Sequence, residues 1–189
     1  MWFATYEGLY RFDGHTATLF QHDPNDPAHT LPSNAITALH EDRKGRLWVG
    51  TPICLVQVDK QTGKATMHRP DSTQAIGWDV IKAIVEDEQG ILWLGMSKGI
   101  ARFDPDTKQF GFYPTPNGGG IFRLQQDDSG RLWTGHYQFH PTTGDFVPFE
   151  FTTKEGPLSP FCFSIDTTGI VWVGTYGEGL FQMDTRAPG

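Results

Sequence analysis

The chain has 189 residues and a net charge of −7; 38% of its residues are apolar and 20% are charged. This composition predicts a folded domain with its own core and excludes a disordered chain. The acidic balance disfavours nucleic acid as a partner, and no apolar run approaches the ~20 residues of a membrane-spanning helix.

A Gly-x-x-Trp phrase, clipped at its first occurrence, recurs along the chain. The repeated tryptophans are Trp2, Trp48, Trp93, Trp133 and Trp172, spaced 46, 45, 40 and 39 residues apart. A period of ~40–50 residues is typical of one four-stranded propeller blade. We therefore predict an all-β fold, a β-propeller of about five blades within a single domain over residues 1–189.

Strand and turn signals divide the chain into three complete four-stranded blades flanked by two three-stranded ones. The predicted units are a partial blade at 2–22, blades at 36–70, 81–114 and 121–151, and a partial blade at 161–185. Residues 2–13 are surplus to a closed ring, so we expect an open arc of a larger propeller. Met1 leads directly into a strand, so we also expect the segment to lie inside a longer protein.

Each complete blade has an Asp-x-x-Gly turn between its first two strands. The Asp side chain caps the turn, and the Gly accepts a positive φ. The Trp three residues later is expected to pack between neighbouring blades. The turn pairs are Asp42 and Gly45, Asp87 and Gly90, Asp127 and Gly130, and Asp166 and Gly169. The two cysteines, Cys54 and Cys162, lie at different repeat positions, so we expect two buried free thiols.

Two stretches of the sequence resemble the two-component regulator propeller repeat. They are "ITALHEDRKGRLWVGT" (36–51) and "IKAIVEDEQGILWLGMSKGIARFD" (81–104). Residues 6–39 are similar to the family's passage from its first blade to its second. The "HYQFH" segment (136–140) departs from the pattern. The resemblance implies a non-catalytic sensor region outside the cytoplasm of a bacterial membrane-bound regulator, with a histidine kinase, hybrid protein or diguanylate cyclase as output. It makes glycans candidate ligands.

The resemblance also implies a periplasmic location. The chain itself has no signal peptide or transmembrane segment, so the resemblance is the basis of this expectation. The output enzyme is expected outside this chain, with membrane contact only through other parts of the protein. Bare blade faces at both ends predict self-association through open blade edges. No cofactor is expected.

The loops between second and third strands, with the linkers between blades, are predicted to form a rim opposite the Asp turns. Propellers normally bind ligands at such loop-rich rims. The candidate ligand-binding residues are Trp78, Asp79, Asn34, Tyr6, Glu7, Ser97, Lys98, His136, Tyr176 and Glu178. Trp78 lies outside the repeat. It either stacks a sugar ring beside Asp79 or seals the top of the core, and both readings stay open.

The sequence shows only weak signs of a catalytic motif. Neighbouring acids such as Glu41 and Asp42 point to opposite faces of a strand, so they cannot converge on one glycosidic bond. His136 and His140 lack metal-ligand spacing, so no metal site is predicted. Two alternatives to a sensor remain. One is a streptogramin-lyase-like propeller enzyme, which needs a metal-plus-histidine site. The other is a protein-interaction scaffold of the WD-repeat kind, although the Trp-Asp dipeptide is missing.

Overall fold

A computed structural model describes residues 1–70, 79–154, 156–158, 160–166 and 168–184. The chain divides into two compact units, residues 1–120 and 121–189. Strands make up the regular structure of both units. None of the described residues belongs to a helix long and apolar enough to cross a membrane.

The first unit contains three antiparallel sheets. Sheet I comprises β1 (Trp2–Ala4), β2 (Leu9–Phe12) and β3 (Ala17–Phe20). Sheet II comprises β4 (Ala38–Glu41), β5 (Leu47–Gly50), β6 (Leu55–Val58) and β7 (Ala65–His68). Sheet III comprises β8 (Ala83–Glu86), β9 (Leu92–Met96), β10 (Gly99–Phe103) and β11 (Phe110–Pro114).

The second unit contains two further sheets and a hairpin. Sheet IV comprises β12 (Gln125–Gln126), β13 (Leu132–Trp133), β14 (Tyr137–His140) and β15 (Asp145–Pro148). The hairpin comprises β16 (Thr152–Thr153) and β17 (Gly156–Pro157). Sheet V comprises β18 (Pro160–Ile165), β19 (Ile170–Thr175) and β20 (Leu180–Asp184).

The predicted all-β class is confirmed, with three four-stranded sheets between two three-stranded ones. In every sheet consecutive strands pair antiparallel, so the chain meanders from one edge to the other. The hairpin of β16 and β17 was not predicted. Its short strands offer two residues each, too few for a periodic pattern to stand out.

Each sheet has two faces that can be told apart by the repeat. We call the face that carries the repeat tryptophan the tryptophan face, and the face that carries the following residue the reverse face. In sheet II, Trp48 lies opposite His40 of β4 and Gln57 of β6, whereas Val49 aligns with Leu39 and Val56. Alternation along the strand therefore sends these two rows to opposite sides.

Within the first unit, the tryptophan face of one sheet packs against the reverse face of the next. Trp2 and Leu9 of sheet I share a cluster with Val49 of sheet II. Trp48 of sheet II likewise shares a cluster with Leu94 of sheet III. Burying ~200 Å² of aromatic surface is worth about 5 kcal/mol before entropic costs. These contacts confirm the predicted packing between sheets at Trp48, which is 0% exposed.

The second unit repeats this contact. Trp133 of sheet IV is 1% exposed and clusters with Val171 and Val173 on the reverse face of sheet V. Sheet V departs from the expectation, because Trp172 is 39% exposed and Cys162 is exposed. The prediction that both cysteines are buried is therefore wrong for Cys162, although Cys54 is buried. The reason is that no described residue covers the tryptophan face of sheet V.

Two histidines lie on the face of sheet II that packs against sheet III, where His68 is buried and His40 is partly buried. The His68 ring lies 5.4 Å from the Trp48 ring and 5.2 Å from the Phe103 ring. Neither His68 Nε2 nor His40 Nε2 has a partner within hydrogen-bond distance among the described residues, although Glu86 Oε2 lies 3.7 Å from His40 Nε2. Desolvation lowers the pKa of both rings, and Lys108 and Arg46 help to bring the pKa of His68 to about 4. Both imidazoles are therefore neutral at pH 7.

Candidate functional site

The Asp turns close one end of sheets II to V. In sheet II, Asp42 Oδ1 accepts hydrogen bonds from the backbone N–H groups of Lys44 (3.0 Å) and Arg46 (2.8 Å). Asp42 Oδ2 accepts a bond of 2.8 Å from the Trp48 indole Nε1. Gly45 has a φ of 75°, a conformation that other residues adopt only with strain. One carboxylate thus holds both the turn and the tryptophan, an arrangement we call the Asp–Trp clamp.

The clamp recurs with the same six-residue spacing in the later sheets. The indole-to-carboxylate distances are 2.7 Å for Trp93 to Asp87, 2.7 Å for Trp133 to Asp127 and 3.3 Å for Trp172 to Asp166. The turn-capping role of Asp was predicted from the sequence, but its bond to tryptophan was missed. The constant spacing was the available signal, since it places each acid beside an indole that needs an acceptor when buried.

Electrostatics hold the Asp42 clamp in its ionised form. Burial opposes ionisation of this carboxyl, yet hydrogen bonds from Trp48 and Arg46, with the charge of Arg46, lower its pKa below the ordinary value. The Arg46 guanidinium also lies 5.5 Å from the centre of the Trp48 ring. These contacts make the Asp-turn end of sheet II a structural element, with its polar atoms already engaged.

The opposite ends of the sheets carry the loops between second and third strands, which we call the rim loops (5–8, 51–54, 96–99, 134–137 and 175–179). A threonine opens four of them. In the second rim loop, Thr51 Oγ1 donates to the carbonyl of Cys54 (2.8 Å) and accepts from the N–H groups of Ile53 (3.1 Å) and Cys54 (3.0 Å). The hydroxyl therefore fixes the loop backbone without help from the loop's outer side chains.

The same arrangement holds the other threonine loops. Thr5 Oγ1 donates to the Gly8 carbonyl, Thr134 Oγ1 to the Tyr137 carbonyl and Thr175 Oγ1 to the Gly179 carbonyl, at 2.8, 3.1 and 3.0 Å. In sheet III a buried methionine, Met96, takes the threonine position. The Gly-Thr pairs at 50–51 and 174–175 were a sequence signal for two of these loops, whereas Thr5 and Thr134 follow other residues.

The rim loops project exposed side chains. Tyr6 is 84% exposed and Tyr176 is 88% exposed, while Glu7, Lys98, His136 and Glu178 are exposed as well. Ile53, at the tip of the second loop, is 40% exposed and was not among the predicted residues. Ser97 is partly buried. A rigid loop that presents such side chains at the end of each sheet is suited to contact a ligand.

Three of the predicted residues lie close together at the rim end of sheet I. The Gln21 side chain donates to the Glu7 carbonyl at 2.9 Å, and the adjacent His22 N–H donates to Asn34 Oδ1 at 2.7 Å. The Ile36 N–H donates to the Thr5 carbonyl at 2.9 Å, which ties the linker to the first rim loop. Glu7 and Asn34 thus belong to one hydrogen-bonded patch, and Tyr6 precedes Glu7 in the same rim loop.

The remaining predicted residues are dispersed. Lys98 lies in the third rim loop, and Asp79 is partly buried in the linker before sheet III, with its Oδ1 accepting from the Val80 N–H. His136, Tyr176 and Glu178 belong to the second unit. Trp78 lies outside the described residues, so both interpretations of it stay predictions. The described residues contain no group of three or more His, Cys, Asp or Glu side chains placed to hold a metal ion.

A cleft missed by the sequence analysis lies beside the rim end of sheet I. Its volume is about 390 Å³, and its walls come from β3, the linker near His29 and the turn between β6 and β7. His29 Nδ1 lies 2.7 Å from Asp26 Oδ1, so the carboxylate orients the imidazole. The "DPNDPAH" segment (23–29) does not signal this cleft in the sequence, because its fold over β3 depends on contacts far apart in sequence.

One stretch of the sequence matches a known protein family. Residues 30–52 match the family described as "Two component regulator propeller", which confirms the resemblance over the second blade's entry and first two strands. A search of curated protein sequences finds no match. The match covers the Asp42 clamp and its tryptophan. Over residues 30–52 the chain is therefore similar to one repeat of that family.

Solved structures agree on the fold. The chain is similar to the extracellular domain of BT3049, assigned as a hybrid two component system of B. thetaiotaomicron, with 22% identity, a TM-score of 0.77 and coverage of 98% of this chain and 25% of that one. It is also similar to the extracellular domain of BT4673 from B. thetaiotaomicron, with 20% identity, a TM-score of 0.78 and coverage of 96% and 26%. The predicted β-propeller fold is confirmed.

A third solved structure comes from an enzyme. Virginiamycin B lyase from Staphylococcus aureus has 13% identity and a TM-score of 0.69, and the match covers 99% of this chain and 67% of the lyase. At such identities the likeness concerns the fold alone. The chain spans about a quarter of the length of the two extracellular domains.

Removing a threonine hydroxyl tests directly whether it holds its rim loop in place. Thr134→Val keeps the shape of a side chain that is 1% exposed, but it leaves the N–H groups of His136 and Tyr137 without their acceptor. We expect a loss of roughly 1–3 kcal/mol in the free energy of unfolding. Amide hydrogen exchange at residues 136 and 137 should accelerate in the same variant.

Thr175→Val is the control, because in the fifth rim loop Thr175 Oγ1 donates to one carbonyl and accepts from one N–H group, that of Glu178, in a more exposed setting. It should cost less than Thr134→Val. Equal stability of wild type and Thr134→Val, with unchanged exchange, would contradict the role assigned to the hydroxyl.

Proposed function

We propose that this chain is part of the sensory propeller of a bacterial two-component or one-component regulator and lies outside the cytoplasm. The carrying observation is the set of rim loops, four of which are fixed by a threonine hydroxyl bonded to the loop backbone while the outer side chains stay exposed. The regulator propeller match at residues 30–52 and the likeness to extracellular domains of such systems support this proposal. The chain acts without catalysis, and its output domain lies elsewhere in the protein.

The ligand is a small extracytoplasmic molecule, with oligosaccharides as the first class to test. Exposed aromatic rings such as Tyr6 and Tyr176 suit stacking against sugar rings, and exposed polar groups such as Glu7 and Lys98 suit hydroxyl groups. Because each sheet is rigid, binding at the rim passes to neighbours as a movement of whole sheets. That movement is the signal a distant output domain would receive.

Thermal unfolding with a panel of neutral and uronic-acid-containing oligosaccharides tests the proposal. A saccharide at ~100 times its Kd should raise the midpoint by roughly 5–10 °C, because it binds only the folded chain. Tyr6→Ala or Tyr176→Ala should reduce this rise. His15→Ala, in the exposed turn between β2 and β3 at the other end of sheet I, should leave it unchanged.

A rise in the midpoint that is equal in all three variants would contradict a binding site at the rim. The lyase alternative rests on fold likeness alone. The described rim histidine, His136, has no metal-binding group of side chains around it within the described ranges. No structural observation favours that alternative or the interaction scaffold over the sensor.

A further inference from the structure

The three asparagines of the chain differ in how their side chains are held. The Asn25 side-chain amide donates to Asp23 Oδ1 at 3.1 Å. Asn34 Oδ1 accepts from the His22 N–H at 2.7 Å. Asn117 is exposed, and no hydrogen bond joins its side chain to any of the described residues. Its amide group is therefore the one with freedom to move.

Asn117 lies in an open turn that continues into glycines. The Gly118 N–H donates to the Thr115 carbonyl at 3.1 Å, which closes a β-turn with Pro116 and Asn117 at its centre. A β-carbon added at Gly118 or Gly119 would meet no atom within 4 Å beyond the adjacent residues. The turn is thus held by one backbone bond, and the space around its glycines is empty.

This arrangement allows the backbone to attack the side chain. Once the Gly118 N–H leaves the Thr115 carbonyl and loses its proton, the nitrogen forms a bond to the side-chain carbonyl carbon of Asn117. The bond from that carbon to the amide nitrogen breaks, and ammonia leaves a cyclic imide behind. Water then opens the imide at either of its two carbonyl groups, so the products are aspartate and isoaspartate.

The residue after each asparagine adds to the contrast. Glycine has no β-carbon to shield its backbone nitrogen, whereas Asp26 follows Asn25 and Ala35 follows Asn34. We propose that Asn117 is a site of spontaneous deamidation, at which the chain exchanges a neutral amide for a carboxylate. Water is the co-reactant and ammonia the leaving group, so the step balances without an enzyme or an oxidant. Asparagine is among the residues that proteins of hot environments avoid.

The turn is tied to the third rim loop, so the modification has a structural consequence there. Thr115 is 5% exposed, and its N–H donates to the Lys98 carbonyl at 3.0 Å. The Thr115 hydroxyl donates to the Gly119 carbonyl at 2.7 Å. Isoaspartate adds a methylene group to the backbone at position 117, which changes the turn geometry that holds Thr115, whereas aspartate adds only a charge. Isoaspartate therefore loosens the third rim loop.

Long incubation of the chain in mildly alkaline buffer at physiological temperature tests the proposal. Peptide mass spectrometry follows each asparagine, and labelling by an isoaspartate methyltransferase identifies the isoaspartate product. Asn117 should convert to a mixture of the two products, while Asn25 and Asn34 stay intact over the same time. Asn117→Gln keeps an exposed amide on a longer side chain that closes the imide ring far less readily, so the isoaspartate signal should be lost.

A urea-unfolded sample of the same chain gives the rate without the turn. Conversion of Asn117 in urea, but not in the folded chain, would overturn the proposal, because the turn would then protect the amide. Equal conversion of Asn117 and Asn34 in the folded chain would overturn it as well. The free side chain and the following glycine would then not select the site.

Amide hydrogen exchange separates the backbone change from the charge. Asn117→Asp carries the same charge on an ordinary backbone, so exchange at Thr115 should match that of wild type. The fraction that contains isoaspartate should exchange faster at Thr115. Unchanged exchange in that fraction would contradict the link between the modified turn and the third rim loop.

Discussion

Replacing Asp42 with alanine is expected to lower the free energy of unfolding by about 3–5 kcal/mol. The Asp42 side chain is 1% exposed and accepts bonds from two backbone N–H groups and from the Trp48 indole, besides its ion pair with Arg46. Removing the carboxylate leaves these donors without partners, and the Trp48 N–H is buried between two sheets. Each buried donor left unpaired costs roughly 1–3 kcal/mol, so the losses accumulate.

Urea unfolding at neutral pH measures this loss. The last sheet supplies a comparison, because Asp166 also accepts bonds from two backbone N–H groups and from its tryptophan, which is 39% exposed and 3.3 Å away. The Thr168 hydroxyl donates to Asp166, whereas Arg46 pairs with Asp42. Water can replace the lost bonds there, so Asp166→Ala should cost clearly less than Asp42→Ala. Equal losses at the two positions would contradict the view that burial gives the Asp–Trp clamp its strength.

Acidification from about pH 6.5 to about pH 4 is expected to destabilise the fold through His68, by up to about 3 kcal/mol. His68 is 9% exposed and has its pKa lowered from 6.5 to about 4, first by desolvation and then by the charges of Lys108 and Arg46. In this window the unfolded chain binds a proton that the folded chain excludes. The contribution of neutral His68 to the free energy of unfolding is therefore fully present above its pKa in the unfolded chain. It declines as the pH falls towards its pKa in the folded chain.

His68→Phe is the control for this prediction. A phenyl ring keeps the contacts with Trp48 and Phe103 but cannot take up a proton. The variant should lose much of the slope of unfolding free energy against pH between 6.5 and 4. The slope that remains belongs in part to His40, whose pKa desolvation also lowers.

The Asp42 carboxylate affects stability in a lower pH range than His68 does. The pKa of Asp42 is lowered from an ordinary value of 3.8, so its contribution is present above 3.8 and is lost only as the pH falls below that value. A pH dependence between 6.5 and 4 that is identical in wild type and His68→Phe would contradict the assignment to His68.

The features that could be predicted best from the sequence are those whose residues lie close together in the chain. An Asp turn, a Gly with positive φ and a tryptophan strand lie within ten residues, so their spacing alone predicts the blade and its turn. The bond between Asp42 and Trp48 lies within the same stretch, yet it was missed because only the turn was considered. Contacts between adjacent sheets follow from the period, which is why the burial of Trp48 and Trp133 was predictable.

Other features depend on what covers a residue, and a sequence pattern does not give that. Cys162 pairs with Gly174 as Ala38 pairs with Gly50 and Ala83 with Gly95; both alanines are partly buried, yet Cys162 is exposed because no described residue lies over it. The cleft beside His29 depends on a linker that folds back over β3. The ligand residues at the rim remain predictions, since exposed side chains carry no periodic signal and only contact with a ligand identifies them.

Hydrogen exchange, measured with and without the saccharide that most raises the unfolding midpoint, tests the central claim most directly. We expect slower exchange in the rim loops, above all at residues 5–8 and in the linker around Asn34, with the Asp turns unchanged. Protection confined to the Asp turns or to the outer strands would contradict a rim-binding sensor. So would the absence of any protection across a panel of saccharides at high concentration.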